Sequence, residues 1–129
     1  MATLADILDI QLPQDQALDS FSFQPVLEGK TGTVRDTLVH NTFANKYAIR
    51  HQHWNLVDAQ PRIHKVLVEK FGYQIDKSDK VELFDMSQSL SQKDNLAKQN
   101  PEKVAELQQL IKDIRERGYS APHIKTPLP

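Results

Sequence analysis

Three histidines are the residues whose spacing comes closest to a metal-binding pattern. His51 and His53 are two residues apart, so on one continuous strand they would share a side, and His64 follows a short way along the chain. A zinc site needs such a pair together with at least one further ligand. The pair also lies directly before Trp54, in a stretch typical of a hairpin connection. We favour a polar turn there and predict no metal site in this chain.

Other chemically capable side chains lie where turns and strand ends are expected. Asp19 and Ser20 are predicted to cap a local turn, and Asp94 and Asn95 suit an Asx-type loop. Arg50 lies within an apolar stretch, where we expect an ion pair with a carboxylate across a sheet, the alternative being that it faces a cleft. These residues are therefore interpreted as structural.

The composition is that of a small domain with no strong charge. The chain has 129 residues and a formal net charge of −1, which gives no reason to expect nucleic acid or an anionic membrane as a partner. It has no cysteine, which excludes disulfides and thiolate metal sites and leaves the redox compartment open. We recognise no signal-peptide pattern at the N-terminus and no apolar stretch long enough to span a membrane.

The elements that must position these side chains follow from apolar spacing. Leu4, Ile7 and Leu8 predict a short N-terminal helix, followed by mostly irregular chain with a helical turn near Pro25. Residues 62–71 have mixed periodicity and are predicted as a short helix that ends at Gly72. Four stretches favour β-strands: 33–42, 46–51, 53–58 and 81–86, with a turn at Asn45-Lys46 and a strand-end turn at Asp85.

The final helix has the clearest signals in the chain. Asn100 suits the N-cap and Pro101 the first helical position, while Gly118 suits the residue after the C-terminus. Its apolar residues recur at helical spacing and must pack against something: Val104, Leu107, Leu110, Ile111 and Ile114. The sequence therefore predicts an α+β fold, a small antiparallel sheet of about four strands covered by a C-terminal helix.

Several segments resemble the C-terminal part of sulfatases, and in the same order. The final third is similar to that family's closing strand "Leu-Tyr-Asp-Leu", its "Asn-Leu" loop and its "His-Pro-Glu" helix start. Each match is short, but together they cover nearly the whole chain. The matching segments are Asp19-Ser-Phe-Ser-Phe-Gln-Pro-Val-Leu-Glu-Gly29, Arg35-Asp-Thr-Leu-Val-His-Asn-Thr42, Tyr47-Ala-Ile-Arg50 with Trp54-Asn-Leu-Val57, Glu82-Leu-Phe-Asp-Met86 with Asp94-Asn-Leu-Ala97 and Asn100-Pro-Glu102, and Gly118-Tyr-Ser-Ala-Pro122.

The resemblance implies part of a sulfuric ester hydrolase of the formylglycine-dependent, arylsulfatase type, acting on a sulfated carbohydrate or an aryl sulfate. In that family the nucleophile arises from a Cys/Ser-x-Pro-x-Arg motif, and a divalent cation, usually calcium, polarises the sulfate. The nearest match here, Ser120-Ala-Pro-His-Ile124, has isoleucine where the arginine must stand. Formylglycine and calcium are therefore expected in an N-terminal domain, and no catalytic residue or cofactor is expected in this chain.

The resemblance also suggests His40 and Asn41 as substrate-binding residues. His40 matches a histidine common in bacterial relatives, where this stretch borders the substrate cleft. The alternative is that His40 only hydrogen-bonds a neighbouring loop. The family usually has glycine before Trp54 and lysine after it, whereas this chain has His53 and Asn55. That departure argues against transferring the role of the lysine.

Two interpretations of the whole chain follow. In the first, residues 1–30 join the chain to the N-terminal sulfatase domain, residues 31–129 form the C-terminal subdomain, and Met1 is an internal methionine or the start of a shortened gene. The segment would be inactive alone, and the surface facing that domain would be bare and apolar. In the alternative, the chain is a free-standing binding or interaction module. Full-length relatives are often periplasmic or secreted, but the compartment of this chain is not determined.

Overall fold

The structure, a computed structural model, describes residues 1–30, 32–41, 46–59, 69–72 and 78–125. The chain divides into two compact units. The first unit is Thr37–Ile111. The second, which we call the N-terminal unit, combines Met1–Asp36 with the chain from Lys112 onward. The domain boundary predicted after residue 30 stays a prediction.

A four-stranded antiparallel sheet forms the first unit. Its strands are β1 (Thr37–Asn41), β2 (Tyr47–His51), β3 (Trp54–Asp58) and β4 (Glu82–Asp85), and they pair in the order β1-β2-β3-β4. This confirms the predicted α+β class with its antiparallel sheet. Strand β1 is shorter than the predicted 33–42, since pairing with β2 begins only at Thr37.

One face of the sheet holds the core. Ile49, Leu56 and Leu83 come from three adjacent strands, and each is 0 % exposed. Asp58 lies on this same face, because alternate residues of a strand point to the same side. Gln108 of the C-terminal helix donates to Asp58 Oδ1 at 2.7 Å, which places the helix on the core face.

Helix α3 (Pro101–Arg117) begins and ends at the predicted residues. The Asn100 carbonyl accepts the first helical hydrogen bond, from the Val104 N–H. At the other end Gly118 has φ +79°, a left-handed conformation that glycine adopts without a Cβ penalty, and its N–H donates to the Ile114 carbonyl. Lys103 pairs with Glu106 on the exposed side, as expected for a solvated face.

The N-terminal unit contains two short helices, α1 (Ala2–Ile7) and α2 (Gln24–Leu27), close to their predicted positions. The large apolar side chains of α1 are exposed. Leu4, Ile7 and Leu8 are 60 %, 53 % and 63 % exposed, whereas Ala2 and Ala5 are buried. The physical reason is that the Ala2 N–H donates to Ser20 Oγ at 2.9 Å, so the side of the helix that carries the two alanines packs against the loop that contains Ser20.

Two predicted elements fall largely outside the described residues. Most of the 62–71 helix lies there; residues 69–71 are helical, and Gly72 follows with φ +67°. The predicted turn at Asn45-Lys46 also lies partly outside. In the described part of the chain, no helix is both long and apolar enough to cross a membrane.

Candidate functional site

The two predicted substrate-binding residues lie at the end of β1, on opposite faces of the sheet. His40 and Asn41 are both exposed. Asn41 pairs with Tyr47 and shares the side of Val39, which is the core face, whereas His40 pairs with Ala48 on the other side. Because neighbouring strand residues point in opposite directions, a ligand on one face contacts one of these side chains and not both.

The open face of the sheet around His40 is the candidate functional site. Leu38 and His40 of β1 lie there beside Ala48 and Arg50 of β2, with Leu38 opposite Arg50. Leu38 is 41 % exposed, and Arg50 is also exposed. This group of residues presents one cation, one imidazole and one apolar side chain to solvent. We call Leu38, His40 and Arg50 the β1–β2 patch.

The other half of the same face is covered. Asn55 and Phe84 continue the row that starts with Leu38 and Arg50, but they are only 9 % and 6 % exposed. Asn55 Nδ2 donates to Gln92 Oε1 at 2.9 Å, so the segment after β4 lies over β3 and β4. On this face Leu38, His40 and Arg50 are therefore exposed, whereas Ala48, Asn55 and Phe84 are covered.

The predicted ion pair of Arg50 is not found among the described residues. Its side chain is exposed, and Nε donates to the Gln52 carbonyl at 3.3 Å. Arg50 points to the open face, since it pairs with Leu38 on one side and Asn55 on the other. No sequence pattern predicts that Arg50 and His40 are neighbours, because strand register decides it.

The histidine pair His51 and His53 forms the predicted polar turn. Gln52 and His53 are the two turn residues between β2 and β3, and Gln52 has φ +54°. His51 Nδ1 lies 2.7 Å from Thr37 Oγ1, while the His53 ring contacts Trp54 with centroids 5.3 Å apart. The two side chains thus have different neighbours and do not converge on one point.

His64, the third member of that pattern, lies outside the described residues. Within the described ranges, no group of three or more His, Cys, Asp or Glu side chains is arranged to hold a metal ion.

Asn95 is the centre of the best-formed polar cluster. Its Oδ1 accepts from the N–H groups of Leu83 (2.9 Å) and Ala97 (3.0 Å). Its Nδ2 donates to Asp79 Oδ2 (2.9 Å) and to the Val81 carbonyl (3.1 Å). The Ala97 bond is the predicted Asx-type turn. The other bonds fasten this loop to β4, which the sequence did not indicate.

Two carboxyl groups near β4 have shifted pKa values. Burial raises the pKa of Glu82 above its ordinary value of 4.5, and the nearby charge of Asp79 raises it further. Hydrogen bonding from the Ser87 side chain lowers the pKa of Asp85. Ser87 Oγ and N–H both donate to Asp85 Oδ1, at 2.6 and 2.9 Å, which is the predicted strand-end turn.

In the N-terminal unit, Asp19 and Ser20 connect distant segments and do not cap a local turn. Asp19 Oδ1 accepts from the N–H and Oγ of Ser120, so the sequence prediction for this pair is wrong. Gln14 donates to the His123 carbonyl at 2.7 Å and accepts from the Lys125 N–H at 2.8 Å. The ends of the chain are therefore joined within this unit.

A cavity of about 710 Å³ lies in the same unit, between α1 and residues 122–125. Asp6 and Asp9 line it together with Gln14, His123 and Lys125. Both signs of charge occur in its wall, and the His123 ring contacts the Gln16 carbonyl at 3.0 Å. Gln14 and His123 in this wall hydrogen-bond between the first and last parts of the unit.

Comparison with solved structures shows the class of fold. A structure from work on the metabolism of multiple glycosaminoglycans by Bacteroides thetaiotaomicron, labelled 6S-sulf, matches with TM-score 0.71 and 34% identity over 90% of this chain. A 2-O GAG sulfatase matches with TM-score 0.56 and 21% identity over 89% of this chain, a likeness of fold alone. The chain covers 24% and 23% of those two structures.

Comparison of sequence gives the same result. No protein-family model matches the chain. The N-acetylgalactosamine-6-O-sulfatase of Bacteroides thetaiotaomicron is 32% identical over 116 residues, which are 90% of this chain and 22% of that protein. The chain thus resembles part of a sulfatase, as its motifs predict, and spans about a quarter or less of the relatives it matches.

Proposed function

We propose that this chain is the C-terminal part of a sulfatase that acts on sulfated carbohydrates. The observation that carries the proposal is the 32% identity to the Bacteroides thetaiotaomicron N-acetylgalactosamine-6-O-sulfatase over 90% of this chain. The conservation of the sheet and helix in a sulfatase structure supports it. In the whole enzyme the segment completes the fold and forms one wall of the substrate pocket.

The proposal includes inactivity of the isolated chain. Sulfate-ester hydrolysis of this type needs a formylglycine nucleophile, and the sequence has no cysteine and no serine followed by the required proline and arginine spacing. Formylglycine and calcium are proposed for an N-terminal domain. The segment's own contribution is then binding and positioning, with His40 on the open face of the sheet as the proposed substrate contact.

The partner in this proposal is the N-terminal sulfatase domain. The N-terminal unit exposes several large apolar side chains, which is the surface such a domain would cover: Met1, Leu4, Ile7, Leu8, Ile10, Phe23, Val26 and Leu27. We call these eight residues the N-terminal apolar surface. Burying it against another domain would remove apolar area from water, a favourable contribution of about 25 cal/mol per Å².

A chimera tests the proposal. This chain would replace the matching segment of the Bacteroides thetaiotaomicron N-acetylgalactosamine-6-O-sulfatase, and hydrolysis of a sulfated substrate would be measured. We expect the chimera to be active and the isolated chain to be inactive. An active isolated chain, or a folded chimera without activity, would contradict the proposal.

The substrate role of His40 is tested in the same chimera. His40→Ala should reduce kcat/KM about tenfold, the value of one lost hydrogen bond to a charged group. His53→Ala is the matched control, because His53 lies in the exposed turn between β2 and β3 and contacts Trp54. Equal effects of the two substitutions would show that His40 has no special role.

The second candidate, a free-standing interaction module, is favoured by the same N-terminal apolar surface. A partner protein would then cover it in place of a sulfatase domain. The discriminating observation is the solution behaviour of the isolated chain. A monodisperse, stably folded oligomer supports the interaction module. A chain that aggregates or unfolds at low temperature supports the proposal that it is part of a longer sulfatase.

A further inference from the structure

The chain that follows α3 is bound to the N-terminal segment of the same unit. It leaves the helix at Gly118, whose φ of +79° is the left-handed conformation that ends many helices. Arg117 Nε donates to the Tyr119 carbonyl at 2.9 Å, and its guanidinium lies 5.0 Å from the centre of the Tyr119 ring. These contacts set the direction in which the chain leaves the helix. We call residues 119–125 the C-terminal strap.

The first half of the C-terminal strap is held by Leu18 and Asp19. The N–H groups of Ser120 and Ala121 both donate to the Leu18 carbonyl, at 3.0 and 2.8 Å. The Asp19 carboxylate accepts from the N–H and Oγ of Ser120, at 3.1 and 2.7 Å. At this end the strap is therefore held through its backbone as well as through side chains.

The second half of the C-terminal strap is held by Gln14 and Gln16. The Gln14 side chain donates to the His123 carbonyl at 2.7 Å and accepts from the Lys125 N–H at 2.8 Å, using both functions of its amide. The His123 Nε2 lies 3.0 Å from the Gln16 carbonyl. Later residues of the strap contact earlier residues of the N-terminal segment, so the two run antiparallel.

The segment bound by the strap also holds α1. Ser20, next to Asp19, accepts from the Ala2 N–H at 2.9 Å. The Phe23 N–H donates to Thr3 Oγ1 at 3.0 Å. The strap is thus connected to the first helix through the loop between them.

The N-terminal segment has little apolar core of its own. Among the described residues of Met1–Asp36, Ala2 and Ala5 are the only buried apolar side chains. The strap contributes Ala121 and Ile124, which are 2 % and 5 % exposed. Helix α1 has six residues and α2 has four, and isolated helices of such length are not stable in water. The order of this segment therefore depends on its contacts with the strap.

We propose that the C-terminal strap is a conformational device that keeps the N-terminal segment, and with it the N-terminal apolar surface, in its folded position. Regions with few buried apolar contacts open at a lower free energy than the core of a protein. Release of the strap from residues 14–20 opens α1 and α2 while the sheet stays folded. Binding of any partner to the N-terminal apolar surface then requires an attached strap, so the inference holds whether or not that partner is a sulfatase domain.

Hydrogen exchange of backbone amides in the 129-residue chain, followed by NMR, tests the inference. Gln14→Ala removes two hydrogen bonds to the strap, and Gln11→Ala is the matched control at an exposed glutamine of the same segment. We expect the amides of α1 to exchange about tenfold faster in Gln14→Ala, the usual effect of losing two hydrogen bonds on a local opening equilibrium. The amides of Ile49 and Leu56 in the sheet should exchange at an unchanged rate.

A chain that ends at Gly118 lacks the whole strap and should show a larger loss of protection in α1. Unchanged exchange of the α1 amides in Gln14→Ala, an equal effect of Gln11→Ala, or equal acceleration in α1 and the sheet would overturn the inference. Full protection of α1 in a folded chain that ends at Gly118 would also overturn it. Gln14→Ala decides by itself if the shortened chain does not fold. The chimera measures catalysis and hydrogen exchange measures local order, so failure of the proposed function and failure of this inference are distinguishable.

Discussion

At the scale of single residues, we expect the hydrogen bonds of the Asn95 side chain to contribute most to stability. An asparagine amide has two donor hydrogens and one acceptor oxygen, and here the side chain bonds to four different residues. It thereby fastens the loop after β4 to the chain before β4 and to the strand itself. Lys98 adds an ion pair to Asp79 at 2.9 Å, so the amide is one member of a larger network.

Asn95→Ala should lower the free energy of unfolding by about 2–3 kcal/mol, because it leaves several partly buried backbone groups without partners. Chemical denaturation followed by circular dichroism measures this. Asn41→Ala, at an exposed position of β1, is the control and should change stability by less than about 0.5 kcal/mol. Similar values for the two variants would show that the Asn95 network adds little.

The raised pKa of Glu82 predicts that the free energy of unfolding depends on pH. Burial, together with the Asp79 charge, raises its pKa in the folded state above 4.5, so the folded protein binds the proton more readily than the unfolded chain. The favourable contribution is therefore present below about pH 4.5 and is lost as the pH rises through the raised pKa.

Glu82→Gln should therefore raise the unfolding temperature at pH 7, and its advantage should shrink as the pH falls through the raised pKa towards 4.5. Unfolding temperatures measured across this range test the sign. Glu116→Gln, the same exchange on the exposed side of α3, should not reproduce the pH-dependent difference. A constant difference for Glu82→Gln at all pH values would refute the argument.

At the scale of elements, α3 and the sheet stabilise each other through one apolar face. Leu107 is 0 % exposed, as are Ile49, Leu56 and Leu83 of the sheet. Gln108 fixes the helix to β3 through Asp58. Isolated helices are marginal in water, so the stability of α3 depends mainly on this packing.

Leu107→Ala should cost about 2–5 kcal/mol of unfolding free energy, since it removes buried methyl groups and leaves a cavity. Leu90→Ala is the same exchange at a position that is 75 % exposed, and it should be nearly neutral. Urea unfolding of both variants gives the comparison. A loss below about 1 kcal/mol for Leu107→Ala would mean that α3 is not held by its apolar face.

At the scale of the whole molecule, the N-terminal apolar surface is the main exposed feature. Large exposed apolar patches are uncommon on isolated soluble domains and mark surfaces that another domain or protein covers. The relatives that match this chain are about four times as long, since about nine-tenths of it covers 22–24% of them. The surface is therefore proposed as the contact with the rest of a sulfatase.

Leu27→Lys should reduce self-association of the isolated chain without lowering its unfolding temperature, because Leu27 is 70 % exposed. Leu90→Lys introduces the same charge at a similar exposure but in the other unit, outside this surface. Light scattering at increasing concentration measures both. If the two variants associate equally, the N-terminal apolar surface does not drive the association.

The sequence by itself determined much of the secondary structure. Helix α3 carries its own signals, because Pro101 fixes a helical φ at its start and Gly118 can adopt the positive φ at which it ends. The four strands were found from their apolar and β-branched residues, and the family resemblance was carried by short motifs. Local backbone preferences and side-chain spacing act within a few residues, so the sequence shows them directly.

Only the tertiary structure decided which residues meet. The buried side of α1 is fixed by the Ala2–Ser20 hydrogen bond, a contact that no local pattern shows. The four bonds of Asn95 and the neighbourhood of Arg50 and His40 likewise depend on strand register and loop placement. Register aligns residues that are distant in the chain, and the free energy that selects it comes from packing of the whole sheet.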